Sequence, residues 1–343
     1  TAGRSDFGIL KKLICIINFK KSYDLTLVIG PAHNSKIFGY TNKEISEIKI
    51  KNKIYLKSLK INSSKIGILT SISRMIKDTS VHISKKKYDM AIVLGDRYEV
   101  LNFTFCCFNL GIPVAHIGGG SVTLGSLDDT YRRCISQMSK IHFVETFIHK
   151  KNLKKIGIKK NIFITGAPAL EKILNKKNSI SILNGEYDYF VKSKKFRIMA
   201  CFHPETNISK KKNIKNLKKL ISFLNRINQK VIFTYPNADE GYLDYINLKE
   251  KSLDKNCSTI LKNLGIKRYH SLLSNCDLII GNSSSGIIES CSFKIPCINI
   301  GDRQAQRLSP KNVIHCKFEI NDIFKAYNKG LNKNFIKKIK KIK

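Results

Sequence analysis

Acidic, basic and imidazole side chains directly follow several apolar runs of the chain. Asp96 and Arg97 come after Met90–Leu94, and His203 comes after Ile198–Phe202. Ligands bind open parallel α/β sheets at the carboxyl ends of the strands, so Asp96 is placed for acid or base work, with Arg97 tuning it or binding an anion. An Asp that caps a helix beside a surface Arg fits this motif equally well, and a single His is more often structural than catalytic.

A glycine-rich segment follows the next apolar run. Three consecutive glycines, Gly118–Gly120, let backbone N–H groups approach a ligand closely, and Ser121 adds a hydroxyl. Asp128 or Asp129 is a candidate cap for the helix that comes next. If the helix begins there, Asp128 and Arg132 share one face, and a helical salt bridge is then the simplest interpretation of the pair.

The most specific motif is the run of small residues from Gly281 to Glu289. Ser283–Gly286 open a predicted helix, which aims N–H groups and the positive end of the helix dipole at an anion, as a diphosphate requires. Glu289 on this helix is placed to accept hydrogen bonds from ribose hydroxyls. Arg303 and Arg307 follow the next strand and are placed to neutralise phosphates. The run is neither a Walker loop nor a GxGxxG fingerprint.

The overall charge is strongly positive, but its distribution argues against a nucleic-acid partner. The 343 residues carry 62 Lys and Arg against 25 Asp and Glu, a formal net charge of +37. Only ten of these cations are Arg, and abundant Lys, Ile and Asn are typical of A+T-rich codons. A hydrophobic fraction of 42% excludes a disordered polyelectrolyte.

Two windows of the sequence are almost free of lysine. There is none between Tyr88 and Ser139, and only Lys294 lies between Arg268 and Pro310. Burial of central strands explains part of this depletion, because a buried ammonium is costly. It does not explain the six Arg that remain there, so we interpret the windows as two facing halves of one site.

Short β-branched runs alternate with longer helical patterns, which predicts parallel sheets covered on both faces. The fold class is therefore α/β, with two Rossmann-like doubly wound domains, and we place the boundary between 170 and 171. The predicted strands are Leu25–Ile29, Met90–Leu94, Ile112–Ile117, Ile141–Val144, Ile162–Thr165, Ile198–Phe202, Val231–Tyr235, Leu278–Ile280 and Ile295–Ile300. The predicted helices include Phe7–Phe19, Tyr98–Leu110, Asp129–Met138, Lys212–Ile227, Tyr269–Ser274, Ser285–Ser292 and Ile320–Asn328.

The ends of the chain, its cysteines and its apolar runs lead to three further predictions. No strand precedes the first helix, and the chain ends in the Lys-rich stretch Lys329–Lys343, so the sequence looks partial. The ten Cys form no CxxC pair and mostly lie among apolar residues, which favours buried thiols in a reducing compartment over a metal site. With no apolar run of membrane-spanning length and no signal peptide, we expect a cytoplasmic protein.

Taken in order, these motifs resemble the UDP-N-acetylglucosamine 2-epimerase family, and in particular its hydrolysing, UDP-releasing branch. The resemblance covers nearly the whole chain. It begins at Thr1–Gly8 and continues through the GDR, HIxGG, HPET, GNSSSG and GDRQ segments. It implies a GT-B-type fold whose two Rossmann-like domains face each other across a cleft and close over a nucleotide sugar.

The resemblance also implies a mechanism and roles. The C2 proton and UDP leave the sugar, and water adds to the resulting 2-acetamidoglucal to give a free N-acetylmannosamine-type product, without a metal or a redox cofactor. Asp96 and Asp128 resemble the family's carboxylates, His203 is expected near the diphosphate, and Arg97, Arg132 and His142 are second-rank catalytic candidates. The expected substrate-binding residues are Arg4, Gly119, Gly120, Ser283, Ser284, Ser285, Gly286, Glu289, Arg303 and Arg307.

One departure from the family pattern concerns the glycine loop. Relatives commonly carry a Glu at the position of Gly118 or Ser121, and this chain has neither. A branch acting on another sugar, such as a 2,4-diacetamido-6-deoxyhexose, would be one reason, and loss of activity another. Two alternatives stay open: a GT-B glycosyltransferase that uses a UDP-sugar, and a basic nucleic-acid-binding protein. For the epimerase we expect a homo-oligomer, a dimer or a tetramer, with no nucleic-acid or membrane partner.

Overall fold

The computed structural model describes residues 1–35, 40–57, 64–175, 180–183, 185–236 and 239–342. The chain forms two compact units. The first comprises Thr1–Ser121 and Leu127–Pro168, and the second comprises Val122–Ser126 and Ala169–Lys343. Both units contain parallel sheets, which confirms the predicted α/β class.

The first unit carries a four-stranded parallel sheet in the order β3-β4-β5-β6 and a separate parallel pair, β1-β2. Its helices pack on apolar strand residues: Phe7 and Leu10 of the first helix pack with Leu27 and Ile29, for example. The elements are α1 (Arg4–Phe19), β1 (Thr26–Ile29), α2 (Asn42–Ser46), β2 (Asn52–Tyr55), α3 (Lys65–Ile83), β3 (Ala91–Leu94), α4 (Tyr98–Asn109), β4 (Val114–Ile117), α5 (Asp128–Gln137), β5 (Ile141–Val144), α6 (Phe147–Lys155) and β6 (Ile162–Ile164).

The second unit has a six-stranded parallel sheet in the order β12-β11-β10-β7-β8-β9. The elements are α7 (Pro168–Asn175), which begins at the end of the first unit, α8 (Asp188–Val191), β7 (Arg197–Cys201), α9 (Lys210–Ile227), β8 (Lys230–Thr234), α10 (Tyr242–Ser252), β9 (Ser258–Leu261), α11 (Gly265–Ser274), β10 (Leu278–Gly281), α12 (Ser284–Glu289), β11 (Cys297–Ile300), β12 (Val313–Cys316), α13 (Ile320–Leu331) and α14 (Lys333–Lys340). Short 3₁₀ turns cover Pro31–Asn34, Ile180–Leu183 and Ser290–Phe293.

Alternating residues of the second unit's strands fill two separate cores. Ile198 and Ala200 of β7 belong to the core that includes Leu217 and Leu220 of α9. Met199, between them, belongs to the core that includes Leu272 of α11. Strand β7 therefore buries both faces, which is why it appears in the sequence as a continuous apolar run.

All nine predicted strands are present, and the described residues form three further strands that were not predicted. The missed strands are β2, β9 and β12, and each lies at the edge of its sheet. An edge strand buries less of its surface than a central one, so its sequence needs fewer apolar residues. Asn52–Tyr55, for instance, contains no fully buried residue.

Several helix predictions need correction. Helix α5 begins at Asp128, and its N-cap is Leu127, which makes no side-chain capping bond, so the predicted Asp cap is wrong. Within the Lys-rich end of the chain, Lys333–Lys340 form α14, a helix that was not predicted, with Ile339 buried. Cys15 and Cys134 are exposed rather than buried. No helix among the described residues is long and apolar enough to cross a membrane.

We predict that Gly281→Ala destabilises the protein. Gly281 ends β10 at a φ of +141°, and a Cβ there would lie 1.8 Å from the carbonyl oxygen of Cys201 on β7. We expect urea denaturation to show a free energy of unfolding lower by about 3 kcal/mol. Gly3→Ala is the control, because its added Cβ would meet only the Ala32 Cβ at 3.9 Å. Equal losses for the two variants would contradict the prediction.

Candidate active site

The side chain of Asp96 is held by a buried guanidinium in the first unit. Arg132, 2% exposed, donates from Nη2 to Asp96 Oδ2. Its Nη1 donates to the carbonyl oxygen of Ser121 at 2.8 Å and also lies 3.4 Å from Asp129 Oδ1. Helix α5 thus fixes both the carboxylate after β3 and the backbone of the glycine loop after β4. Spacing predicts that Arg132 pairs with Asp128, and in the structure Arg132 contacts Asp96, Asp129 and the carbonyl oxygen of Ser121.

The neighbouring Arg97 lies at the N-cap of α4 and turns back onto that helix. Its Nε donates to Glu99 Oε2 at 3.1 Å and its Nη2 to Glu99 Oε1 at 3.3 Å. The guanidinium also lies 5.5 Å from the centre of the Tyr98 ring. Arg97 is therefore more than a surface cation, because its fork is matched to a buried carboxylate.

Two buried histidines lie side by side on adjacent strands of the first sheet. His116 of β4 pairs in register with His142 of β5. His116 Nε2 lies 2.8 Å from the carbonyl oxygen of Gly95, and its Nδ1 lies 3.0 Å from Ser136 Oγ. Since only an N–H can pair with a carbonyl, Nε2 carries the hydrogen and Nδ1 accepts from the serine. Burial lowers the pKa of His116 to about 4 and also lowers the pKa of His142.

Packing explains two of the three glycines in the loop after β4. A Cβ on Gly120 would lie 2.2 Å from the carbonyl oxygen of His149, and one on Gly119 would lie 2.9 Å from Ser136 Oγ. A Cβ on Gly118, whose φ is +89°, would meet only the Gly95 nitrogen at 3.9 Å. Ser121 is buried, and its hydroxyl has no hydrogen-bond partner among the described residues.

The segment that continues from this loop, Val122–Ser126, belongs to the second unit. Leu124 N donates to the carbonyl oxygen of Ala305 at 3.2 Å, and the Leu124 carbonyl accepts from Asn207 Nδ2 at 2.8 Å. Ser126 Oγ lies 3.3 Å from Thr206 Oγ1. Within the second unit, Val122–Ser126 are therefore hydrogen-bonded to Thr206, Asn207 and Ala305.

His203 is fixed through its backbone by a fully buried amide. Asn282 Oδ1 accepts from His203 N at 2.8 Å, and Asn282 Nδ2 donates to His203 O at 2.8 Å. The imidazole Nε2 lies 3.2 Å from Cys201 Sγ. The loop after β7, which carries the predicted catalytic residue His203, and the loop after β10, which is predicted to bind the substrate, are thus joined side by side.

The GDRQ segment is attached to the same two loops. Arg303 Nη1 and Gln304 Nε2 both donate to the carbonyl oxygen of Asn282, at 3.3 and 3.2 Å. Glu205 Oε1 accepts from the backbone N–H of Asp302 at 2.9 Å, and burial raises the pKa of Glu205. Arg307 Nη1 donates to Gln304 Oε1 at 2.7 Å, so both predicted phosphate-binding arginines lie on this braced segment.

The serine-rich helix α12 has contacts at each end with α11. Ser283 is the N-cap, and Ser285 Oγ lies 3.0 Å from Ser283 Oγ and 2.8 Å from Tyr269 OH. At the other end Glu289 Oε2 lies 2.6 Å from His270 Nε2. Gly286 faces the core, since a Cβ there would lie 3.2 Å from Cys297 Sγ. Ser284 is the first residue of the helix.

The predicted residues therefore fall into two groups. The first unit brings Asp96, Arg132 and the glycine loop together, and the second unit brings His203 together with the serine-rich and GDRQ segments. Asp128 is the first residue of α5, and the side chain of Arg4 lies outside the described residues. No cluster of three or more His, Cys, Asp or Glu suited to a metal ion occurs in the part of the chain that the structure describes.

The sequence interpretation missed the residues that hold these groups in place. They are Glu99, His116, Asp129, Glu205, Tyr269, His270 and Asn282. Glu99 was detectable, because it lies two residues after Arg97 at a helix start. Asp129 lies three and four residues before its partners Arg132 and Arg133, a spacing typical of a helix, whereas the partners of the other five are distant in sequence.

Comparison with known proteins settles the family. A model described as UDP-N-acetylglucosamine 2-epimerase matches residues 17–343. The chain belongs to the UDP-N-acetylglucosamine 2-epimerase family. This membership confirms the family predicted from the motifs.

Individual members of the family align over nearly the full chain. A GDP/UDP-N,N'-diacetylbacillosamine 2-epimerase (hydrolyzing) of Campylobacter jejuni is 38% identical over 98% of this chain and 87% of its own length. A UDP-N,N'-diacetylbacillosamine 2-epimerase (hydrolyzing) of Legionella pneumophila is 29% identical over 98% of this chain and 89% of its own. The Methanocaldococcus jannaschii UDP-GlcNAc 2-epimerase, solved with UDP-GlcNAc and UDP, shares the fold, with a TM-score of 0.78 at 22% identity over 97% and 92% of the two chains.

We predict that the two neighbouring arginines of α5 differ sharply in their contribution to stability. Arg132→Leu leaves the buried Asp129 and the partly buried Asp96 without their shared cation, so we expect the free energy of unfolding to fall by about 3 kcal/mol in urea denaturation. Arg133→Leu is the matched control: Arg133 is 52% exposed and pairs with Asp129 Oδ2 at 2.8 Å, which is worth about 0–1 kcal/mol. A loss for Arg133→Leu as large as that for Arg132→Leu would refute this account of the pair.

We predict that His116 makes the fold sensitive to acid. Its pKa in the folded protein is about 4, below the ordinary 6.5, so between these two values the unfolded chain binds a proton that the folded chain does not. Stability is therefore lost as the pH falls from 6.5 towards 4. We expect His116→Gln, which stays neutral, to lose about 2 kcal/mol less than the wild type between pH 7 and pH 5. Parallel losses in urea denaturation at the two pH values would disprove the assignment.

Proposed function

We propose that this protein is a hydrolysing 2-epimerase that converts a UDP-HexNAc into UDP and a free ManNAc-type sugar. The observation that carries the proposal is its 38% identity, over 98% of the chain, with a relative named for that reaction. Membership of the epimerase family also favours this activity over the glycosyltransferase and nucleic-acid-binding alternatives. We include in the proposal a cytoplasmic location and a homo-oligomeric state, dimer or tetramer.

The sugar that we favour carries acetamido groups at C2 and C4. Both relatives described above are named for N,N'-diacetylbacillosamine, a 2,4-diacetamido sugar. The loop that departs from the common family pattern, with Gly118 and Ser121 in place of a Glu, lies beside Asp96 and Arg132 in the first unit. A loop with smaller side chains suits a sugar with an additional substituent.

The reaction requires a proton acceptor at C2 and cations for the departing diphosphate. The C2 proton passes to a carboxylate while the C1–O bond to UDP breaks. Water then supplies a hydroxyl to C1 and a proton to C2 of the glycal, and the carboxylate releases the proton it accepted to the solvent, which balances the atoms. Asp96 is our candidate for the acceptor, because Arg132 fixes its carboxylate at the carboxyl end of β3. Asp128 is the second carboxylate. Arg97 directly follows Asp96 after β3, and His142 lies on β5, two strands away in the same sheet.

The second unit supplies the nucleotide contacts. Ser283–Gly286 open α12, Arg303 and Arg307 lie on the braced GDRQ segment, and His203 is joined to both through Asn282. We assign the diphosphate to these N–H, hydroxyl and guanidinium donors and the ribose to Glu289. Ser283, Ser285, Arg303 and Arg307 are each held by a hydrogen bond within the protein, which reduces the cost of ordering them on binding.

Isotope incorporation tests the proposed reaction. The protein is incubated in D₂O with UDP-GlcNAc and, in parallel, with UDP-N,N'-diacetylbacillosamine, and UDP release and the free sugar are followed by NMR. We expect deuterium at C2 of the released sugar and faster turnover of the diacetamido substrate. Sugar transfer to an added acceptor without C2 exchange would instead indicate a glycosyltransferase. Absence of turnover with any UDP-HexNAc, from a protein that is folded, would overturn the proposal.

We predict that Asp96→Asn lowers turnover at least about 100-fold, since an amide cannot accept the C2 proton. Asp89→Asn is the matched control, because Asp89 is exposed and precedes the other end of the same strand. Steady-state UDP release measures both variants. Full activity of Asp96→Asn would remove Asp96 from its proposed role.

A further inference from the structure

Helix α11 contacts the two ends of α12 through adjacent side chains. Tyr269 OH lies 2.8 Å from Ser285 Oγ, and His270 Nε2 lies 2.6 Å from Glu289 Oε2. Both members of the second pair are buried, at 2% and 9% exposure. The rings of Tyr269 and Phe293 lie 6.0 and 5.5 Å from the His270 ring, so the imidazole has a packed position from which to donate.

We propose that His270 is a positioning residue that orients Glu289 for recognition of the ribose of UDP. An ionised carboxylate can only accept, so the contact requires that His270 Nε2 carry a hydrogen. This hydrogen bond engages Oε2 and fixes the plane of the carboxylate, which leaves Oε1 to accept from a ribose hydroxyl. The inference rests on the proposed function, since it assumes that α12 binds UDP.

The two contacts that α11 makes with α12 differ in their chemistry. Burial raises the pKa of Tyr269 well above its ordinary value, so the phenol keeps its hydrogen, and its partner is a serine at the start of α12. Glu289, the last residue of α12, is the carboxylate of the set, and its Oε1 suits a ribose hydroxyl. Loss of the His270 contact is therefore expected to affect recognition of ribose, whereas loss of the Tyr269 contact is expected to affect UDP binding as a whole.

Binding of two ligands, one with and one without the ribose hydroxyls, measures the contribution of His270 to ribose recognition. The dissociation constants of UDP and of 2′,3′-dideoxy-UDP are determined by calorimetry for the wild type and for His270→Leu, which keeps the bulk and removes the donor. The wild type is expected to favour UDP. In His270→Leu we expect the ratio of the two constants to fall about tenfold, the size of one hydrogen bond to a charged group. A ratio within twofold of the wild-type ratio would overturn the proposal.

Tyr269→Phe is the matched control on the neighbouring position. It is expected to weaken both ligands equally and to leave their ratio unchanged. An equal fall of the ratio in Tyr269→Phe would mean that any loosening of α12 reduces ribose recognition, and would overturn the specific role of His270. If the wild type binds no UDP, the proposed function fails as well. If it binds UDP and the variant ratio does not change, only the role of His270 fails.

A measurement on the unchanged protein keeps the proposal testable if His270→Leu does not fold. The wild type is labelled with ¹⁵N-histidine, saturated with UDP and examined by NMR, and the conservative variant His270→Gln provides the assignment. We expect the Nε2 of His270 to show the chemical shift of a protonated ring nitrogen. A shift typical of an unprotonated Nε2 would contradict the proposed donor.

Discussion

The hydrogen bonds of Asn282 hold together the loops that carry the candidate site residues of the second unit. The side-chain amide pairs with both backbone groups of His203, and the backbone carbonyl oxygen of Asn282 accepts from Arg303 and Gln304. Three loops that follow three different strands are thus fixed by one fully buried residue. A buried amide with its donor and acceptor both satisfied defines a single geometry, because any shift of a loop leaves a polar group without a partner. The glycine before it, Gly281, allows β7 and β10 to approach closely enough for this pairing.

A buried cation has the corresponding role in the first unit. Arg132 is almost inaccessible to solvent, and it bonds Asp96, Asp129 and the backbone of Ser121 at once. Taking a guanidinium out of water is costly unless each donor finds a partner, so this position requires carboxylates around it. The same requirement explains why Asp96 has a defined orientation although a quarter of its side chain is exposed. The contacts that stabilise the buried Arg132 cation therefore also position Asp96, the candidate proton acceptor.

The sequence predicted the central strands, the order of the motifs and the family, because each of these depends on local pattern. Burial on both faces produces continuous apolar runs such as that of β10, whereas the edge strand β2 carries Asn52 and Lys53 and was missed. The positions of the candidate residues at strand ends were also predictable. Their partners were not, since His270 and Glu289 are brought together only by the packing of α11 on α12. The glycines of the loop after β4 show a second limit: Gly120 lies against the His149 carbonyl, a packing requirement that looks the same in sequence as a ligand cradle.

The chemistry of the buried Arg132 and Arg303 explains why the lysine-poor windows of the sequence retain arginine. Arg132 and Arg303 are both buried, and each bonds a backbone carbonyl oxygen within its own unit, which suits a planar guanidinium with several fixed donors. Lysine ammonium groups need more water around them, and on α9 they occupy exposed positions such as Lys211 and Lys215. Lys249 is a buried exception that satisfies the same rule, since it donates to the Thr234 carbonyl and lies over a Phe ring. The net charge of +37 thus describes mainly the solvated helix surfaces, while the chemistry of the candidate site depends on a few arginines that contribute little to the total.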